Sequence, residues 1–94
     1  MVTGQWKDGR VASIRGIRSG ASPYGCVIFG ERGVRSLGVE TRYIYHELLK
    51  TIVEMFRTGQ SPLDVAVTVE IIGFIQAAFA SANNHGTVQT VRTA

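Results

Sequence analysis

At 94 residues, 45% hydrophobic and 18% charged, the chain has the makeup of one small folded domain, with material for one core and not for two. Its net charge of +3 is modest and uneven: residues 1–42 hold Lys7 and six arginines against Asp8, Glu31 and Glu40, and the remainder is slightly acidic. A single cysteine excludes an internal disulfide framework, and the polar stretch 1–9 lacks the apolar run of a secretory signal, so a reduced, cytoplasmic setting is expected.

The first structural signal is Trp6-Lys7-Asp8-Gly9-Arg10, whose Asp-Gly pair marks a hairpin turn. The run 10–18 follows as a strand. Because such turns join antiparallel strands, residues 2–6 read as the end of a preceding one. Ser19-Gly20-Ala21-Ser22-Pro23 is a loop by composition. Residues 24–29 form the next strand, alternating Tyr24, Cys26 and Ile28 with Val27 and Phe29. Gly30-Glu31-Arg32-Gly33 is a hairpin loop, and residues 34–39 return antiparallel. Cys26 has no metal-ligand spacing with His46 or His85 and reads as a small buried hydrophobe.

Two helices follow. Tyr45, Leu48, Leu49, Ile52, Val53 and Phe56 repeat at helical period, with His46, Glu47, Lys50, Thr51 and Glu54 off the stripe. Gly59 stands where a helix ending near Arg57 needs a left-handed residue. Ser61-Pro62-Leu63-Asp64 opens the second helix, with Ser61 as N-cap and Pro62 in the first turn. From Leu63 to Ala82 that helix is apolar nearly all round. Asp64, Glu70 and Gln76 cut it into runs shorter than the roughly 20 residues a bilayer needs, which predicts a core helix and no membrane span. Gly73, costly in mid-helix, predicts close packing against another element. Asn83-Asn84-His85-Gly86 ends the helix, and residues 87–92 read as a last, edge strand. The order predicts an α+β fold: a mostly antiparallel open sheet with two helices packed on one face, in a single domain spanning residues 1–94.

Candidate chemistry is sparse. His46 lies off the apolar stripe without a partner constellation, and His85 sits in a helix-ending loop, where interaction with the helix C-terminus is expected. Gly30-Glu31-Arg32-Gly33 lacks the spacing of a phosphate-binding loop. Glu47, Glu54 and Glu70 show no pairing for acid–base work. The arginines come without interleaved aromatics or a nucleic-acid motif, so a solvated sheet face is expected and nucleic-acid binding is not. No residue is assigned to catalysis, to a cofactor or to a metal.

Three phrases taken in order resemble one family. They are Val27-Ile28-Phe29-Gly30-Glu31-Arg32-Gly33-Val34, then Phe56-Arg57-Thr58-Gly59-Gln60-Ser61-Pro62, then Val69-Glu70-Ile71-Ile72-Gly73-Phe74-Ile75-Gln76-Ala77-Ala78. Together they look like the rear part of the C-terminal domain in the glucose–fructose oxidoreductase / inositol dehydrogenase / MocA family of NAD(P)-dependent oxidoreductases. The resemblance covers roughly residues 8–92. It implies a domain that completes a pocket for a sugar or polyol-like substrate and carries an open sheet used for homo-oligomerisation. The family's dinucleotide loop and Glu-Lys-Pro motif belong to an N-terminal Rossmann domain, and neither motif occurs in these residues. Neither His46 nor His85 matches the family's catalytic histidine position. The implied chain binds no cofactor by itself, while its parent enzyme uses NAD or NADP. The alternative reading is a stand-alone homo-oligomeric binding or regulatory module without enzyme activity.

Overall fold

A computed structural model describes residues 1–93. In chain order the elements are strands β1 (Val2–Gln5), β2 (Val11–Ile14), β3 (Gly25–Gly30) and β4 (Gly33–Gly38), then helices α1 (Ile44–Thr58) and α2 (Val65–Asn83). The fold is α+β, and all its strand pairing is antiparallel. The strands form two separate two-stranded sheets, β1–β2 and β3–β4. The chain divides into two compact units: Met1–Gly16 joined with the segment from Ser61 onward, and Ile17–Gln60.

In the first unit the Asp-Gly signal is realised as a tight turn. The Gly9 N–H donates to the Trp6 carbonyl at 3.1 Å, Gly9 takes φ 92, and the Trp6 N–H closes the ladder on the Arg10 carbonyl at 2.9 Å. Asp8 fixes the turn from outside: its carboxylate accepts from the Arg10 backbone N–H at 3.1 Å and from Arg10 Nε at 2.8 Å. The register pairs Val2 with Ile14 and Gly4 with Ala12 on one face, and Thr3 with Ser13 and Gln5 with Val11 on the other. Along β1 the face of Val2 and Gly4 is half-buried and the face of Thr3 and Gln5 is exposed. On the exposed face the Thr3 and Ser13 hydroxyls bond each other at 3.0 Å.

The start of α2 corrects the expected cap. Ser61 is not the N-cap. Its hydroxyl is spent within the turn, donating to the Leu63 carbonyl at 2.7 Å, and the helix starts three residues later than that cap implies. Asp64 caps instead, accepting from the Ala66 N–H at 2.9 Å with an extended backbone. A carboxylate there serves both the free N–H groups and the helix dipole, which a hydroxyl three residues upstream cannot reach. At the other end the Asn84 side-chain amide donates to the Ala80 carbonyl, and the Asn84 and Gly86 N–H groups donate to that of Ser81. The Ala80 and Ser81 carbonyls are therefore satisfied by Asn84 and Gly86. His85 supplies the reversal through its left-handed backbone, φ 58, in place of the side-chain interaction expected of it. Residues 87–92 form no strand, because no neighbouring strand runs beside them to supply a ladder.

The second unit holds β3, β4 and α1. Gly30 pairs with Gly33, so the loop is only Glu31-Arg32, both at negative φ, while Gly33 takes φ 152. Val39 donates to the Tyr24 carbonyl at 2.9 Å, extending the pairing by one residue at the open end. The register puts Cys26, Ile28, Leu37 and Arg35 on one face and Val27, Phe29, Val34 and Ser36 on the other. Helix α1 ends as expected: Gly59 is left-handed at φ 72 and its N–H donates to the Met55 carbonyl at 2.8 Å.

The core departs furthest from expectation. Among the described residues only Gly73 is buried, and no hydrophobic side chain is. Helix α2 is therefore not an enclosed core helix, although it has close neighbours on two sides. Cys26 is exposed, since both faces of its hairpin are open.

Candidate functional site

The best-built constellation in the chain is centred on Trp6. Its indole Nε1–H donates to Glu70 Oε1 at 2.7 Å, across 64 residues of sequence. The same ring lies nearly parallel to Phe74, 6.2 Å between centroids and 9° between planes. Glu70 and Phe74 are four residues apart, hence neighbours on one face of α2. The Arg10 guanidinium stands over the indole at 5.4 Å, held by its ion pair with Asp8. Gly4 completes the arrangement, because a side chain there would run into the Phe74 ring. One indole thus joins a hydrogen bond, a ring stack and a cation–π contact that fasten the first hairpin to α2. The cluster is a packing anchor, and both its carboxylates, Glu70 and Asp8, are already engaged.

A second approach to α2, on the adjoining side of the helix, is made by the chain after the helix. The Arg92 carbonyl lies where a Cβ on Gly73 would be, and Val91 Cγ1 is 3.4 Å from that position. The mid-helix glycine therefore has the structural reason that its sequence position predicts. Beside this crossing lies an open groove of about 330 Å³, lined by Thr68, Val69, Ile72 and Gln76 of the helix and by Arg92 and Thr93. It holds no acid–base pair.

The residues that sequence reasoning weighed for chemistry stay apart. His46 is exposed on α1 and His85 is exposed after α2. Glu47 and Glu54 pair with Lys50 at 3.6 Å and Arg57 at 2.7 Å, both one turn along α1 and open to solvent. Among the described residues no three His, Cys, Asp or Glu side chains gather as metal ligands. The Asp8 carboxyl has a lowered pKa. The Arg10 backbone N–H, together with the Arg10 guanidinium, holds its carboxyl below the ordinary value of 3.8.

What the chain does present is apolar surface. On α1, Tyr45 and Phe56 are each 77% exposed, and Leu48, Leu49 and Val53 lie open between them. On the β3–β4 hairpin, Phe29 is 80% exposed beside Val27 and Val34. On α2, Ile71, Ile75 and Phe79 follow one another at four-residue spacing and all are exposed. Helix α2 is also long and apolar enough to cross a membrane by length and composition alone. Its Glu70 accepts from Trp6 of the first hairpin, but only Gly73 of the helix is buried, and the expectation that Asp64, Glu70 and Gln76 leave it too short an apolar stretch is not met. The total accessible surface is 8969 Å². A compact monomer of this mass exposes about 5,300 Å², and two separate compact bodies of half the mass about 6,400 Å².

Trp6 and Glu70 were the pair that sequence reasoning missed. The available signal was a lone carboxylate on an apolar helix, which needs a donor, and a lone tryptophan, which needs an acceptor. No protein-family model, curated protein or solved structure matches this chain.

Proposed function

We propose that the chain is the rear, sheet-bearing part of the C-terminal domain of an oxidoreductase like those of the glucose–fructose oxidoreductase / inositol dehydrogenase / MocA family. In this reading it helps to complete a pocket for a sugar or polyol-like substrate and contributes to homo-oligomerisation. It has no catalysis of its own. NAD or NADP and the catalytic lysine belong to a Rossmann domain elsewhere in the parent enzyme, and the setting is cytoplasmic.

The observation that carries the reading is the match between three phrases and three kinds of local structure. Gly30-Glu31-Arg32-Gly33 is the turn of an antiparallel hairpin, Arg57-Thr58-Gly59 is a helix end closed by a left-handed glycine, and Glu70 to Ala78 lies on one long apolar helix. In the family the same phrases run in the same order as hairpin, helix end and apolar helix, followed by a terminal strand, whereas residues 87–92 of this chain form no strand. The exposed apolar side chains also fit a chain that folds against further protein. The stand-alone homo-oligomeric module remains the second reading, because the same surface could be covered entirely by copies of this chain.

Calorimetry with NAD(H) and NADP(H) tests the first reading: the 94-residue chain is expected to give no saturable binding. Saturation at micromolar cofactor would overturn it. An in-frame Rossmann segment upstream in the gene would decide between the two readings in favour of the oxidoreductase.

A further inference from the structure

We draw no further inference here: the strongest candidate, the uncharged face of the β3–β4 hairpin formed by Val27, Phe29 and Val34, is apolar and exposed, but it belongs to the surface already assigned to self-association and nothing in the structure shows what covers it.

Discussion

Trp6 makes a hydrogen bond, a ring stack and a cation–π contact in the first unit, and its contributions can be separated by substitution. Trp6→Phe keeps a ring against Phe74 but leaves Glu70 without its donor, an expected loss of about 1 kcal/mol. Trp6→Ala removes the ring as well and is expected to cost about 2 kcal/mol, less than a fully buried aromatic because Trp6 is only half-buried. Glu70→Gln retains an acceptor and is expected to stay close to wild type. Denaturant melts followed by circular dichroism check all three; equal stability of Trp6→Ala and wild type would mean that the hairpin is not fastened through the indole. Asp8 gives a pH dependence whose sign follows from its depressed pKa. Its contribution to the turn is complete above 3.8, the unperturbed value, and is lost as pH falls through the lower folded value. The Arg10 amide resonance is therefore expected to shift only below that point. A midpoint at or above 3.8 would contradict the carboxylate's bond to that amide.

Elements were legible in the sequence wherever a local rule forces them. The Asp-Gly turn, the Gly59 helix end and the periodicity of α1 depend on residues within one or two turns of each other, and each stands within a residue or two of its expected position. The α2 N-cap was misread because Ser61 and Asp64 are both good caps, and only the backbone shows which carries the extended geometry. The terminal strand was misread for a different reason: alternation over residues 87–92 says nothing about whether a neighbouring strand exists. Two substitutions test the elements. Gly33→Val should cost more than about 1 kcal/mol in denaturant melts, since a β-branched residue resists φ 152. A melt matching wild type would refute the hairpin geometry. Gly73→Ala gains about 1 kcal/mol in helix propensity, yet its Cβ would occupy the position of the Arg92 carbonyl. The expected result is a tail driven off the helix, read as loss of the nuclear Overhauser contact between the Val91 methyls and residue 73 with α2 intact. Persistence of that contact would show that the tail does not cross at Gly73.

For the molecule as a whole, the α+β class and the antiparallel pairing were legible, and the absence of an enclosed core was not. Periodicity identifies which face of a helix or strand is apolar, but not what lies against it. Cys26 reads as an interior residue because its type is usually interior, and in this chain it meets solvent, as do Val27, Ile28 and Phe29 on the two faces of the hairpin. The Trp6–Glu70 bond was hidden for a related reason, since no local pattern links positions 64 residues apart. Exposed apolar side chains on α1, α2 and β3–β4 exceed what a monomer ordinarily leaves open, and burial in an assembly is the usual remedy. Sedimentation equilibrium of the 94-residue chain at about 10–50 µM, a range that detects micromolar association, is the most direct test. The account predicts a weight-average mass above 10.2 kDa that rises with concentration and returns toward monomer in Phe29→Asp. A wild-type chain that sediments as a clean, folded 10.2 kDa monomer across that range would contradict it.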